Sequence, residues 1–205
     1  MVDDHAIVRE GIKRIINDVQ DMKIINEAAN GSEAINMIKN NKYDLILLDI
    51  SMPGENGLQT LKKIKKYDRT ISVLMLSMHS EEQYAMRSMK AGASGYMTKD
   101  TASSQLVKAI RKINDGRKFI SAEVAELLAT DLYHKDDKDP HENLSDREFE
   151  ILKMIAKGLT IKTIATELII SPKTVSTYRG RILEKLDLHN NSDLIHYVID
   201  YKLND

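Results

Sequence analysis

Tyr43-Asp44-Leu45-Ile46-Leu47-Leu48-Asp49 is the stretch on which the fold turns. Leu45 to Leu48 are apolar without interruption, and so short a run suits a strand buried on both faces of a parallel sheet. Ligands of such sheets bind beyond the carboxyl ends of the strands. Asp49 therefore stands where chemistry takes place, unless it only caps the turn that follows. Two features favour the chemical reading. Asp3 and Asp4 stand together near the N-terminus, and Lys99 ends another apolar stretch.

Outward from this run, residues 5–115 alternate between two periodicities. Helical spacing covers about 5–17, 32–41, 57–66, 80–91 and 103–115, and strand-like runs cover 24–28, 44–49, 71–77 and 94–98, with a further strand before Asp3. Such alternation predicts a doubly wound α/β sheet with helices on both faces. Ser80-Glu81-Glu82-Gln83 reads as a capping box, and Pro53-Gly54 punctuates the loop after Asp49.

The pattern changes after Ser121, which opens a helix over 121–134. A polar stretch from Lys135 to Asn143, with Asp136, Asp137, Lys138, Asp139 and Pro140, reads as linker. Four helical patterns follow, with no strand. Ser145-Asp146-Arg147-Glu148 is a second capping box, flanked by Leu144 and Phe149 at the positions of a hydrophobic staple. Gly158 ends this helix. A short helix covers about 161–168. The next begins with Ser171 as N-cap and Pro172 at N1, and the last covers about 191–202.

Composition narrows the class of function. The chain has 205 residues, 42% of them hydrophobic and 30% charged, enough for two small domains with real cores. No apolar run reaches the roughly 18 residues of a membrane helix. With no Cys, disulfides, thiolate metal sites and Cys nucleophiles are excluded; a cytoplasmic location is expected. The formal net charge of −1 carries no global nucleic-acid signal, so any affinity for DNA must come from a local patch.

The predicted topology gathers Asp3, Asp4 and Asp49 at the ends of neighbouring strands. Three close carboxylates repel one another and need a cation, and hard oxygen donors in an open pocket suit Mg²⁺. Lys99 adds a positive charge and Ser77 a hydroxyl at the ends of two further strands. Together these groups fit a phosphoryl group carried on Asp49.

Val2-Asp3-Asp4-His5, Asp49-Ile50-Ser51-Met52-Pro53-Gly54 and Gly95-Tyr96-Met97-Thr98-Lys99, with Ser77 between, resemble the receiver domain of two-component response regulators. The likeness covers residues 2 to about 115. It implies a flavodoxin-like, five-stranded parallel sheet of order 2-1-3-4-5. It implies Asp49 as phosphoacceptor and a Mg²⁺ site from Asp3, Asp4, Asp49 and the backbone carbonyl of Ser51. Asp4 would bind directly and Asp3 mostly through water. Ser77, Tyr96 and Lys99 would form the phosphate-binding and switch group, Tyr96 turning inward as Ser77 moves to the phosphoryl group. Ser51 and His79 stand at positions that tune acyl-phosphate hydrolysis. In the family the first strand begins several residues before the acidic pair. Here only Met1 and Val2 precede it, so a chain that starts upstream is expected.

On a helix over 171–186, Val175, Ile182 and Leu186 form one stripe, and Lys173, Thr177, Gly180 and Glu184 point away from it. Lys173, Arg179, Arg181 and Lys185 make this helix locally basic. A short helix, a turn and a longer basic helix form a helix-turn-helix whose second helix enters the major groove, or else a bundle with a solvated charged face. Leu144-Ser145-Asp146-Arg147-Glu148, Ala156-Lys157-Gly158, Ile164-Ala165 and Ile170-Ser171-Pro172-Lys173-Thr174-Val175 resemble the LuxR-type helix-turn-helix over about 144–203. By matched position, Ser176, Thr177 and Gly180 face bases, while Lys173, Thr174, Arg179 and Arg181 serve phosphates. Ser176, Tyr178 and Ile161 depart from the common pattern.

Receiver plus LuxR-type domain is the architecture of the NarL/FixJ class. The domains implied are a receiver over 1–118, a linker over 119–143 and an all-α four-helix DNA-binding domain over 144–205. The implied function is transcriptional regulation switched by phosphate from a sensor histidine kinase, with double-stranded DNA as partner and a homodimer on phosphorylation. The only catalysis implied is Mg²⁺-dependent phosphorylation and dephosphorylation of the protein itself. Leu194, Ile195, Val198 and Ile199 offer a dimer face or core packing. An aspartyl-phosphate phosphatase would carry a second Asp two residues after Asp49, where Ser51 stands. A pure interaction module would not need the basic helix.

Overall fold

The buried runs pair as a parallel sheet. In chain order the first unit contains α1 (Ala6–Asn17), α2 (Gly31–Asn40), β1 (Leu45–Asp49), α3 (Gly57–Tyr67), β2 (Ser72–Ser77), α4 (Glu82–Lys90), β3 (Gly95–Thr98) and α5 (Lys99–Asn114), followed by α6 (Ala122–Tyr133). The structure is a computed structural model that describes residues 1–78, 82–133 and 139–203. The chain divides into two compact units, Met1–Leu128 and Ala129–Asp205, with the division inside α6. The capping box at Ser80, and His79, lie outside the described residues.

Among the described residues the sheet has three strands, in the order β1-β2-β3, where the sequence suggests five. The run over 24–28 does not form a strand. The middle position is held by Val2 alone, which bridges Ala28 on one side and Leu48 on the other. Backbone bonds hold Met1 to Asp3 between these neighbours: Val2 N donates to Leu47 O at 2.8 Å, Ala28 N to Met1 O at 2.9 Å, and Asp3 N to Ala28 O at 3.1 Å. A cavity of about 520 Å³, lined by Met1, Ile24, Tyr43, Leu45 and Ile110 among others, adjoins this position. The Met1 ammonium donates to Asn26 O at 2.9 Å, and burial holds its pKa below the ordinary value.

Alternation along the strands separates two cores. Leu47, Leu74, Leu76 and Met97 pack with Ile12 and Ile16 of α1 and Leu106, Ala109 and Ile113 of α5. Ile46, Leu48, Val73 and Met75 are equally buried on the opposite face, which α3 adjoins through β1, and α3 in turn packs on α2. Each fully buried Leu or Ile contributes about 1.5–3 kcal/mol.

The second unit contains a 3₁₀ turn (Pro140–Asn143), α7 (Asp146–Ala156), α8 (Ile161–Glu167), α9 (Pro172–Leu186) and α10 (Asn191–Asp200). The capping box forms as expected: Ser145 Oγ accepts from Glu148 N, and Glu148 Oε2 accepts from Ser145 N at 2.8 Å. Gly158, at φ +81°, turns the chain after α7. His141 is buried, with its backbone N donating to Tyr197 Oη at 3.2 Å, so the end of the linker stretch is anchored on α10. Arg147 is buried too and ties α7 to the turn of the helix-turn-helix, donating to Leu168 O at 3.0 Å and pairing with Glu150 at 2.8 Å.

That turn contains a strained residue. Ile169 has φ +52° and is 71% exposed, so a β-branched side chain occupies the left-handed region with little packing in return. Ile169→Asn is expected to stabilise the helical unit by about 1 kcal/mol, since Asn tolerates this region. A thermal midpoint no higher than that of the native chain would refute the strain argument.

Candidate functional site

The register of the sheet collects the site. Asp49 pairs with Leu76 and Ser77 with Thr98, so the strands end at one edge. Asp49 N donates to Val2 O at 2.9 Å, which sets the acidic pair beside the end of β1. Asp3, Asp49 and Ser77 are fully buried, while the Asp4 side chain keeps 23% of its surface exposed.

Lys99 is the first residue of α5 rather than the last of β3, because Thr98 serves as the N-cap. Its Nζ lies 2.8 Å from Asp3 Oδ2 and 2.9 Å from Asp49 Oδ2. Burial pulls the Lys99 pKa down, but the hydrogen bonds and charges of Asp3 and Asp49 outweigh it and hold it above the ordinary value. Burial dominates at Asp49. It pushes the carboxyl up to about 6 against the opposing pull of Lys99. Ser51, an exposed residue, directs its backbone N toward Asp49 Oδ1 at 3.4 Å.

His5 and Arg9 also join the site. His5 N donates to Asp3 Oδ1 at 2.8 Å, and His5 Nδ1 lies 3.1 Å from Asp4 Oδ1. Arg9 donates to the Asp3 carbonyl at 2.8 Å and meets Glu27 at 3.3 Å. His5 stands in the motif Val2-Asp3-Asp4-His5, and for Arg9 its place on the first turn of the helix after the acidic pair is the one signal available. Asp3, Asp4, His5 and Asp49 offer ligand atoms within 4.8 Å of one another. Three of the four are carboxylates, and the ammonium of Lys99 balances at most one of those charges. The donor set and the surplus negative charge both fit a hard divalent cation.

Tyr96 is only 7% exposed and hydrogen-bonds with Ser77. Burial pushes its phenol up to about 12. Tyr96 and Ser77 are thus already in contact, with the ring turned inward, whereas the resemblance implies that phosphorylation brings this about.

In the second unit α8, the turn at Leu168–Ser171 and α9 form the helix-turn-helix. The stripe of Val175, Ile182 and Leu186 is buried as expected. Lys173, Ser176, Thr177, Gly180 and Arg181 are exposed, and Thr174 and Arg179 are half-buried. A Cβ at Gly180 would meet nothing within 4 Å, so the fold itself does not require glycine there. The basic face is smaller than the sequence suggests. Arg179 Nε donates to Asn191 Oδ1 at 2.5 Å, and Lys185 Nζ pairs with Glu148 at 2.7 Å. Both cations brace α9 against neighbouring helices, leaving Lys173 and Arg181 outermost. The dimer candidates divide as well. Leu194 and Val198 are completely buried in the helical core, Ile195 is half-buried, and Ile199 is 53% exposed.

Comparison with known proteins follows the same division. Residues 1–111 match the response regulator receiver domain, and residues 142–198 match the bacterial regulatory proteins of the luxR family. Response regulator UvrY of Escherichia coli (strain K12) is 37% identical over 204 residues, covering 99% of this chain and 94% of UvrY. Oxygen regulatory protein NreC of Staphylococcus haemolyticus is 37% identical over 212 residues, covering 100% and 98%. Among solved structures, RcsB from Salmonella enterica serovar Typhimurium, bound to promoter rprA in the presence of the phosphomimetic BeF3⁻, superposes with a TM-score of 0.63 at 26% identity, covering 96% of each chain. Among the described residues no helix is long and apolar enough to cross a membrane. With an acidic pocket at the sheet edge in one unit and a helix-turn-helix in the other, this chain belongs to the two-component response regulators of the NarL/FixJ class, phosphorylation-dependent transcription regulators with a LuxR-type DNA-binding domain.

Proposed function

We propose that Asp49 is the phosphoacceptor and that a sensor histidine kinase is the donor. One observation carries this reading: the buried Asp49 carboxylate lies 2.9 Å from Lys99 Nζ within a cluster of three carboxylates. A carboxylate oxygen of Asp49 attacks phosphorus, the bond from phosphorus to the donor nitrogen breaks, and the imidazole leaves. Lys99 and the Ser77 hydroxyl then answer the charge on the phosphoryl oxygens, and Tyr96 follows Ser77. Asp3, Asp4, Asp49 and the Ser51 carbonyl would hold Mg²⁺, which would supply neutralising charge to the phosphoryl group. Attack by water on the acyl phosphate resets the protein, and we propose no other catalysis.

We assign the receiver to 1–118, the linker to 119–143 and the DNA-binding domain to 144–205, in a cytoplasmic protein. The order Ala28, Val2, β1, β2, β3 across the sheet supports the five-position arrangement 2-1-3-4-5. On DNA, Ser176, Thr177 and Gly180 face bases, and Lys173, Thr174, Arg179 and Arg181 serve phosphates, with Arg179 held by Asn191. Phosphorylation promotes a homodimer that binds paired half-sites. Ile195 and Ile199 remain for its α10 face once Leu194 and Val198 are counted as core.

Incubation with Mg²⁺ and acetyl phosphate tests the acceptor. The native chain gains the mass of one phosphoryl group, and Asp49→Ala gains none; uptake by Asp49→Ala would refute the assignment. For the second domain, Lys173→Ala/Arg181→Ala removes two phosphate contacts from each protomer, four from the bound dimer, and should reduce the slope of log affinity against log salt by about 4. An unchanged slope would remove α9 from the DNA interface.

A further inference from the structure

His5 places a nitrogen donor at the rim of a pocket lined by carboxylate oxygens. Its Nδ1 lies 3.1 Å from Asp4 Oδ1 and 3.4 Å from Asp3 Oδ1. The first approach is not a hydrogen bond: among the described residues Asp4 Oδ1 is buried with no hydrogen-bond donor. Lys99 answers the other side of the cluster, through Oδ2 of Asp3 and Oδ2 of Asp49. The imidazole has no evident structural task. His5 stands at the N-cap of α1 without a side-chain cap bond, and its side chain is 58% exposed. Its backbone N alone bonds within the cluster, donating to Asp3 Oδ1 at 2.8 Å.

A buried carboxylate oxygen without a donor is costly. An imidazolium paired with Asp4 would direct its N–H at Oδ1, and this ring does not. A cation lying between the two atoms satisfies both. A metal ion held at 2.0–2.2 Å from each ligand sets neighbouring ligand atoms about 2.8–3.6 Å apart in octahedral or tetrahedral geometry. The spacings of 3.1 and 3.4 Å fit the edges of such a polyhedron. The nitrogen also bears on which ion is held. Mg²⁺ takes oxygen ligands and keeps its waters, so it gains little from an imidazole. Zn²⁺, Co²⁺ and Ni²⁺ bind imidazole well and lie higher in the affinity order of divalent ions.

We propose that His5 is a metal ligand: its Nδ1, with Oδ1 of Asp3 and Oδ1 of Asp4, holds a divalent transition ion of the zinc, cobalt or nickel class in the pocket assigned above to Mg²⁺. The proposal rests on the reading of that pocket as a cation site and adds a nitrogen donor that selects among cations. An ion held in this way competes with Mg²⁺ for Asp3 and Asp4, which makes the pocket responsive to the supply of transition ions.

Calorimetric titration of the full chain with Co²⁺ alone and with Mg²⁺ alone tests it, with the visible spectrum of Co²⁺ recorded alongside. The native chain should bind Co²⁺ at least about tenfold more tightly than Mg²⁺. His5→Ala should weaken Co²⁺ by about tenfold or more, change the Co²⁺ spectrum, and leave Mg²⁺ affinity within about twofold. His5→Gln keeps a polar side chain but no ring nitrogen, and should behave as His5→Ala does. Asp4→Asn should weaken both ions. Native Co²⁺ affinity and spectrum in His5→Ala would overturn the proposal. So would restoration by His5→Gln, an equal loss of Co²⁺ and Mg²⁺ in His5→Ala, or Co²⁺ binding that survives Asp4→Asn unchanged. A native chain that binds Co²⁺ through His5 but not Mg²⁺ would support the proposal and remove the Mg²⁺ reading, whereas a chain that binds neither ion would remove both.

Discussion

Gly57→Ala lowers the stability of the receiver unit by about 3 kcal/mol and prevents phosphoryl uptake, although every acidic residue of the pocket remains. Gly57 opens α3, with its N donating to Ile50 O at 2.8 Å. A Cβ there would lie 2.0 Å from the carbonyl oxygen of Asp49, 2.8 Å from its carbonyl carbon and 2.8 Å from Ile50 Cα. All three atoms are backbone, so no side-chain rotation relieves the clash. Either α3 tilts away from β1 or the end of β1 moves, and the second displaces Asp49 from Lys99. Urea unfolding and the mass of the acetyl-phosphate product measure the two effects. A Gly57→Ala chain that unfolds at the native midpoint and takes up phosphate at the native rate would disprove the close approach.

Asp49→Asn acts in the opposite direction on stability. Raised from 3.8 to about 6 by burial, the Asp49 carboxyl carries a penalty of about 3 kcal/mol once it is ionised in the metal-free fold. The sign follows from proton binding. Below about pH 4 the carboxyl is protonated both folded and unfolded, and it costs nothing. Between about pH 4 and 6 the unfolded chain loses its proton first, so stability falls as pH rises. Above about 6 the penalty is complete. Asn has no charge to bury, and Lys99 retains Asp3 at 2.8 Å. Without Mg²⁺ at pH 8, Asp49→Asn is therefore up to about 3 kcal/mol more stable than the native chain, and the advantage fades toward pH 4. Mg²⁺ narrows the gap at pH 8, since it offsets the charge that Asn lacks. The same variant takes up no phosphoryl group. Denaturant titrations at pH 4 and pH 8 decide the matter, and an advantage independent of pH would point to packing instead of ionisation.

The two variants separate what was legible in the sequence from what was not. Asp49 could be found because its neighbours form an unbroken apolar run, and Lys99 because it ends another. Gly57 carries no such signal, since its role depends on a carbonyl eight positions away in the sequence. The helix-turn-helix was legible through its caps: Ser145, Ser171 and Pro172 all stand where their local chemistry demands. The partners of its cations were not. Lys185 reaches Glu148 and Arg179 reaches Asn191 only after the helices pack. Leu194, Ile195, Val198 and Ile199 look alike in sequence, yet burial of the first and third leaves Ile199 at the surface.

The run Leu45–Leu48 and the capped helices after Leu144 marked by themselves a parallel α/β unit followed by a helical one, and the spacing of Asp3, Asp4, Asp49, Ser77 and Lys99 marked the residues that gather at the sheet edge. Hydrophobic period, capping and charge are local properties, and a sequence carries them directly. Tertiary structure decided the rest: that Tyr96 rests on Ser77, and that Phe119 closes the edge of β3 at Gly95. These depend on which backbone groups find partners across long separations and on how closely two surfaces meet, and both are settled only when the chain packs.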